Sequence, residues 1–155
     1  MKDYNYHIGL KLRIYPSNKQ RKIIKINGGA SRYIYNKLVA DNNEIYELKK
    51  SSSFSPADKD RLEFLQSIHN SKSNMLVMIP FLSQKEIDSD MIDNAIQNYK
   101  MAWNQFRKVK GASVPTFHKK DNTYFYKTSN HYGKIRNDGL KDGSIYFIDE
   151  NHINL

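Results

Sequence analysis

The chain has 155 residues with a formal net charge of +9, and 39% of them are hydrophobic, which is enough for a buried core and argues against disorder throughout. No apolar run reaches the roughly 18 residues of a membrane-spanning helix, the N-terminus lacks the apolar stretch of a signal peptide, and the absence of cysteine excludes disulfides and thiolate metal sites. These features fit a cytoplasmic protein whose excess of Lys and Arg favours a polyanionic partner, with nucleic acid ahead of an anionic membrane surface.

Charge is distributed unevenly along the chain. There is no acidic residue between Tyr4 and Ala40, and a second acid-free stretch runs from Asn94 to Lys120. A mildly acidic segment, residues 41–93, separates the two. If the two basic stretches meet in space, they form one positive face of the kind that a phosphate backbone requires.

The first predicted element is a half-buried strand at residues 4–15, where apolar and polar residues alternate with period two. Pro16 follows it. Ser17 and Gln20 then have the spacing of a capping box, in which two side chains satisfy backbone donors at a helix start. A helix is therefore predicted to begin near Ser17.

Two adjacent glycines interrupt this helical pattern. Gly28 and Gly29 each weaken a helix by about 1 kcal/mol relative to alanine, so we expect a break or a sharp bend there. A second helix is predicted over residues 30–48. Two helices that meet at a glycine turn, with basic residues on the second, have the outline of a helix-turn-helix, although many helical hairpins bind nothing.

The middle of the chain is predicted to be helical. A serine-rich linker ends at Ser55, and Pro56 fits the first position of a helix that runs to about His69. The clearest helix begins near Asp88 and ends at Gly111, because its apolar residues follow the i, i+3, i+4, i+7 spacing.

Short strands are predicted again near the C-terminus. Turn residues separate three candidate segments: 123–127, 144–148 and 152–155. Since a single strand must pair with something, the first strand is expected to join these later ones. The order of elements therefore predicts an α+β fold, a β module with a helical insertion.

No catalytic or metal site is evident in the sequence. The five histidines lack the spacing of metal ligands, and there is no phosphate-binding glycine loop and no nucleophile elbow. Asp88, Asp90 and Asp93 fall within one helical turn, but acidic residues are favoured at a helix start in any case. We therefore expect no metal and no cofactor, and a self-contained metal nuclease built on these three carboxylates is the least favoured hypothesis.

An aromatic stretch lies close to a basic pair. Tyr124, Phe125 and Tyr126 are followed by hydrogen-bonding residues and preceded by Lys119 and Lys120. Aromatic rings stack on bases while Lys reaches phosphates, so this segment is a candidate nucleic-acid contact. Alternate rings in a strand are, however, more often part of a core.

Several short motifs occur in a characteristic order: KLRIYP at 11–16 with Gln20, YIYNKL at 33–38, IDS at 87–89, NAI at 94–96, AWNQF at 102–106, PTFHKK at 115–120 and YKT at 126–128. Together they resemble the N-terminal part of the TnpB (OrfB) proteins encoded by bacterial insertion sequences, which are compact relatives of type V CRISPR effectors. The resemblance covers nearly the full chain.

The resemblance implies a split, β-barrel-like wedge module interrupted by a helical recognition domain of about four helices. Residues 1–16 would supply the first strand of the wedge, residues 17–112 the helical domain, and residues 113–155 the remaining strands of a truncated wedge. This arrangement agrees with the α+β order of elements.

The resemblance also implies a function. Proteins of that family are RNA-guided DNA nucleases in which these two domains hold a guide RNA and read a short motif on the target duplex, while a RuvC-like domain cuts. The sequence stops near Leu155, ahead of the position of that domain. We therefore expect a bacterial, cytoplasmic nucleic-acid-binding module that is not itself an enzyme, with guide RNA and double-stranded DNA as partners and no membrane.

Two sets of contact residues are expected. The DNA contacts are Ser89, Asp93, Lys119, Lys120, Tyr126, Lys127 and Thr128. The contacts to RNA or phosphate are Lys11, Arg13, Arg21, Arg32, Tyr35, Asn36, Arg107 and Lys108. The family often has Gln where this chain has Asp93, and a carboxylate near phosphate is unfavourable unless it accepts from a cytosine amino group.

An alternative function belongs to another class. The chain would then be a protein-interaction subunit, or a decayed remnant, that docks on a separately encoded RuvC-like nuclease domain. Both readings depend on whether the basic residues of the N-terminal part share one surface with those that follow Trp103.

Overall fold

A computed structural model describes residues 13–68, 71–120 and 125–128, and the backbone of 144–147 and 151–154. The chain divides into two compact units, residues 1–21 with 130–155 and residues 22–129. The larger unit holds nearly all of the helical residues that the structure describes, and it is the unit in which the candidate site lies.

Helix α1, Asn18–Lys50, begins at the predicted capping box. The backbone N–H of Ser17 donates to Gln20 Oε1 at 2.8 Å, and the backbone N–H of Gln20 donates to Ser17 Oγ at 3.3 Å. These bonds satisfy donors that the first turn of a helix leaves without an intrahelical acceptor. The predicted helix start is confirmed.

The predicted break at Gly28 and Gly29 is wrong, because α1 continues through both glycines to Lys50. The cost of two glycines in a helix is about 2 kcal/mol, which burial of neighbouring side chains can offset. Ala30, Ile34 and Leu38 are all buried on one stripe of α1. Tertiary packing therefore overrides the local preference of the glycines.

Helix α2, Pro56–Ile68, is joined to α1 by an ion pair and starts with a second capping box. Ser55 Oγ accepts from the backbone N–H of Asp58, and Asp58 Oδ2 accepts from the backbone N–H of Ser55. Arg61 donates to both carboxylate oxygens of Glu44, at 2.6 and 3.0 Å. This bond lowers the pKa of Glu44, so the pair stays charged at neutral pH.

Helix α3, Lys72–Met78, and a short 3-10 turn, Pro80–Ser83, lead into helix α4, Ser89–Lys108. The Asp88 side chain caps α4 by accepting from the backbone N–H of Asp90 at 2.8 Å. Beyond α4, Gly111 has a φ of +89°, which an L side chain rarely adopts. The sequence-based start and end of this helix are confirmed.

The core of the larger unit is helical. Its buried residues come from one stripe of α1, one stripe of α4, and the segment between α2 and α4: Ala30, Ile34, Tyr35, Leu38, Val39, Met75, Ile79, Leu82, Ile87, Met91, Ile92, Ala95, Ile96 and Tyr99. Tyr126 packs against this cluster from outside the helices. The stripe on α4 is the one that its periodicity predicts.

The prediction of an α+β fold with a split β-barrel-like wedge is wrong. In the ranges that the structure describes, the only strands are β1, Ser144–Phe147, and β2, Asn151–Asn154, which form an antiparallel hairpin with Ile145 opposite Ile153. Two short strands do not close a barrel.

The other two predicted strands, at residues 4–15 and 123–127, are not found in the parts of these segments that the structure describes. Residues 13–15 are not in a strand, and the rest of the first predicted strand lies outside the described residues. Residues 125–127 have no regular secondary structure, because side chains attach this segment to the helices: Tyr126 packs on the core, and Thr128 bonds to Asp88. Residues 125–127 are therefore not in a strand, whereas the alternating residues 4–12 lie outside the described residues.

Candidate nucleic-acid interface

Asn27 joins α1 to the start of α4. Its side chain is fully buried, and Nδ2 donates to the carbonyl of Ile23 at 3.1 Å and to the carbonyl of Glu86 at 2.8 Å. Its Oδ1 accepts from the backbone N–H of Asp88 at 2.9 Å. This buried amide uses both donors and its acceptor, so it holds the N-terminus of α4 at a fixed place beside α1.

Between two and three turns further along α1, Tyr35 and Asn36 hold the segment that follows α4. Asn36 Nδ2 donates to the carbonyl of His118 at 3.0 Å, and Asn36 Oδ1 accepts from the backbone N–H of His118 at 2.8 Å. The rings of Tyr35 and His118 stack with centroids 3.9 Å apart and an angle of 9° between their planes. The segment around His118, which carries Lys119 and Lys120, is thereby attached to α1.

A cleft of about 540 Å³ opens between α1, α4 and this segment. Residues of α1 at spacing i, i+3, i+4, i+7 form one wall, residues of α4 at spacing i, i+3, i+7 form another, and the later segment completes it. The lining residues are Gly28, Ser31, Arg32, Tyr35, Ala95, Asn98, Ala102, His118, Lys119 and Phe125. All of them belong to the larger unit.

The charge of the cleft is positive. Arg32 comes from the N-terminal basic stretch and Lys119 from the C-terminal one, and both line the same cavity. No Asp or Glu is among the lining residues. In the part of the chain that the structure describes, Arg32 makes no ion pair. The two basic stretches therefore meet at this cleft, as a phosphate site requires.

The tyrosines near the cleft are neutral. Burial raises the pKa of Tyr35, and it raises the pKa of Tyr99 to about 12. The pKa of Tyr126 is also raised, mainly by burial and in addition by the negative charge of Asp88. A phenol of ordinary pKa is already protonated at physiological pH, and these shifts move its ionisation further away, so none of the three tyrosines adds a negative charge that would repel phosphate.

Residues 125–128 alternate between exposed and partly buried positions. Phe125 is 72% exposed, whereas Tyr126 packs against the core. Thr128 Oγ1 donates to Asp88 Oδ2. Tyr126 and Thr128 thus anchor the segment, and Phe125 and Lys127 face solvent. The expected DNA contacts at Tyr126, Lys127 and Thr128 remain predictions, but the exposed ring of this segment is Phe125.

An ion pair joins the first residue of α3 to the first turns of α4. Lys72 Nζ donates to Asp93 Oδ2 at 2.5 Å, to Ser89 Oγ at 2.7 Å and to the backbone carbonyl of Ser89 at 3.1 Å. Ser89 and Asp93 are expected DNA contacts, and both are exposed. Because Lys72 compensates the carboxylate of Asp93, the repulsion of phosphate expected at this position is reduced.

The other predicted contacts lie elsewhere. Arg13 and Arg21 are exposed and belong to the smaller unit, whereas Arg107 and Lys108 are exposed in the last turn of α4, where Arg107 lies 5.9 Å from the ring centroid of Trp103. Lys120 is exposed next to the cleft residue Lys119. Lys11 lies outside the described residues.

Sequence reasoning missed three residues of this interface. Asn27, Asn98 and His118 were not singled out as contacts, although His118 lies in the PTFHKK motif and its partner Asn36 lies in the YIYNKL motif. An Asn within an apolar helical stripe is a usable signal, because a buried amide requires partners. The spacing of Gly28, Ser31, Arg32 and Tyr35 on one helical face is a second signal.

The described residues contain neither a metal-binding cluster nor a membrane-spanning helix. No group of three or more His, Asp or Glu side chains there is arranged to hold a metal ion, which includes Asp88, Asp90 and Asp93. None of the described helices combines the length and the apolar character needed to cross a bilayer.

Comparison with known proteins gives one match. Residues 4–51 match the family model HTH_OrfB_IS605, which is described as a helix-turn-helix domain. This match supports an N-terminal helix-turn-helix domain of the OrfB/IS605 transposase type, and with it DNA binding in a transposon-encoded protein. No curated protein and no solved structure matches the chain. In the structure, most of the matched residues lie in α1.

Proposed function

We propose that this chain is the nucleic-acid-binding module of a TnpB-like, RNA-guided DNA nuclease encoded by an insertion sequence. In this proposal it contacts a guide RNA and the target DNA duplex, and a separate RuvC-like domain carries out cleavage. The match of residues 4–51 to the OrfB-type domain supports the transposon origin and the DNA partner. The guide RNA and the division of labour follow from the resemblance of the ordered motifs.

One observation carries the binding function. Arg32 of α1 and Lys119, 87 positions later in the sequence and beyond α4, line the same cleft without an acidic neighbour in its lining. The double hydrogen bond between Asn36 and His118 fixes that arrangement. Two cations that a fixed backbone brings to one cleft bind phosphate better than the same charges on unconnected segments, because less ordering of the backbone is needed on binding.

A salt series tests this function. Arg32→Gln with Lys119→Gln removes two cations from the cleft, and Lys49→Gln with Lys59→Gln removes two exposed cations from α1 and α2 outside it. Filter binding to duplex DNA and to RNA is measured for both double variants and the unaltered protein. Each lost phosphate contact makes the negative slope of log K against log salt shallower by about 0.7 on a single strand, so the cleft variant should lose about 1.4 of this slope on single-stranded RNA.

The control variant separates a site from a general charge effect. It has the same net charge as the cleft variant and should keep the slope of the unaltered protein. Equal losses in both variants would mean that binding is diffuse. No binding by the unaltered protein at low salt would remove the proposed function.

A further inference from the structure

The cleft is larger than a phosphate site needs. Its volume of about 540 Å³ falls within the range of about 300–1,000 Å³ that is usual for pockets that take a small organic ligand. Three of its lining residues have little or no side chain, namely Gly28, Ala95 and Ala102. The space between α1 and α4 is therefore open where larger side chains would fill it.

The groups around this space suit the separate parts of a nucleotide. Arg32 and Lys119 provide positive charge for a phosphate. Phe125 provides an aromatic face that is 72% exposed. Asn98, on α4, provides an amide with two donors and an acceptor, which can form paired hydrogen bonds with the edge of an adenine base.

The amide of Asn98 is available for such a contact. Across residues 13–68, 71–120 and 125–128, no hydrogen bond to its side chain is formed. Asn27, Asn36, Asn74 and Asn94, in contrast, all have side-chain hydrogen-bond partners. Asn98 is thus a half-buried amide on the cleft wall whose hydrogen-bonding capacity the helices do not use.

We infer that the cleft takes one unpaired nucleotide of a nucleic-acid strand. Its base stacks on Phe125, its edge bonds to Asn98, and its phosphate lies against Arg32 and Lys119. A paired duplex does not fit this volume, so the nucleotide comes from a single-stranded or unpaired region. This inference rests on the proposed nucleic-acid binding and adds a preference within it.

The experiment uses the full chain and two charge-neutral variants, Phe125→Ala and Asn98→Ala. The probes are a 12-nucleotide thymidine strand with one central 2-aminopurine, the RNA strand of corresponding sequence, and a 12-base-pair duplex. Loss of a stacked base should weaken binding of the strand to Phe125→Ala by about 5- to 150-fold. Asn98→Ala should weaken it by about 2- to 10-fold. The 2-aminopurine fluorescence should be quenched by the unaltered protein and not by Phe125→Ala.

Matched controls exist for both variants. Phe117 is 54% exposed in the segment that carries His118, and Asn104 is exposed on α4; neither lines the cleft. Phe117→Ala and Asn104→Ala should bind the strand like the unaltered protein. Duplex affinity and its salt slope should be the same in all four variants, because none changes the net charge.

The outcomes distinguish the two claims. If the protein binds both probes with a strong salt dependence, and Phe125→Ala binds the strand as well as Phe117→Ala does, the nucleotide pocket is overturned and the proposed function stands. If the protein binds neither strand nor duplex, both fail. A preference for the RNA over the DNA strand, lost in Phe125→Ala, supports the pocket and identifies RNA as its source.

Discussion

At the scale of single residues, Asn27 joins α1 to the start of α4, a role that its position next to two glycines does not indicate. It is the one side chain of α1 that bonds to the loop before α4, through the carbonyl of Glu86 and the backbone N–H of Asp88, in the part of the chain that the structure describes. Both partners lie about sixty residues away in sequence. A buried amide with all its groups in use fixes a single arrangement of two helices.

Asn27→Ala should therefore destabilise the protein. The substitution leaves the Glu86 carbonyl and the Asp88 N–H without their partner in a partly buried place, which costs about 1–3 kcal/mol. Urea unfolding followed by circular dichroism measures this loss. Asn43→Ala is the control, because Asn43 is exposed on the same helix and gains the same helix propensity on substitution. A loss in Asn27→Ala no larger than in the control would contradict this role.

Part of this residue-level picture can be read from the sequence. The capping pairs Ser17 with Gln20 and Ser55 with Asp58 are local, so their spacing is sufficient to predict them. The pairing of Asn36 with His118 joins residues 82 positions apart, and no local pattern encodes it. Which of Phe125 and Tyr126 faces solvent is likewise decided by contacts with the helices.

At the scale of elements, α1 is the feature that sequence reasoning misjudged. A pair of glycines in the middle of a basic helix predicts a break, yet Asn18–Lys50 is one helix. Gly28 lines the cleft and is buried, whereas a Cβ placed on Gly29 would meet no atom within 4 Å. Position 29 therefore has room for a side chain, whereas position 28 is buried at the cleft wall, although the two are neighbours.

Gly29→Ala should stabilise the protein by about 0.5–1 kcal/mol, because alanine fits the helical backbone and has less freedom in the unfolded chain. Thermal unfolding should show a higher midpoint. Gly111→Ala is the comparison with the opposite sign, since its φ of +89° strains any L residue. If Gly29→Ala lowered the midpoint instead, α1 would not be helical at that point.

Burial explains why α4 was predicted well and α1 was not. The apolar residues of α4 recur with one helical period, buried up to Tyr99 and partly buried at Ala102, Trp103 and Phe106, so its pattern alone defines the helix. The buried set of α1 includes Asn27, Gly28 and Ser31, which hydropathy does not count as core. Polar and small residues at buried positions interrupt the hydrophobic periodicity of α1, so it is less visible in the sequence.

At the scale of the whole molecule, the core cluster lies entirely within the larger unit, residues 22–129. The predicted β module failed as a description of the fold because the aromatic segment at 125–128 belongs to the helical core rather than to a sheet. Helical contacts and two side-chain anchors organise this unit. Its stability should therefore be a property of residues 17–128.

A fragment of residues 17–128 should unfold in a single cooperative transition by circular dichroism. A shorter fragment, residues 17–120, lacks the packing of Tyr126 and the hydrogen bond from Thr128 to Asp88. Loss of about 1–2 kcal/mol from these contacts should lower its midpoint by roughly 4–16 °C. Equal midpoints for the two fragments, or a gradual transition in the longer one, would contradict this assignment of the core.

The way in which Asn36 holds His118 has a consequence for how this protein can vary. Its amide contacts only peptide atoms of that residue, so these two hydrogen bonds do not depend on which side chain stands at position 118. A substitution there would remove the ring stacking with Tyr35 but would keep the backbone attachment. Substitutions at position 118 can thus change which ligand groups the cleft accepts, while the surrounding fold is kept.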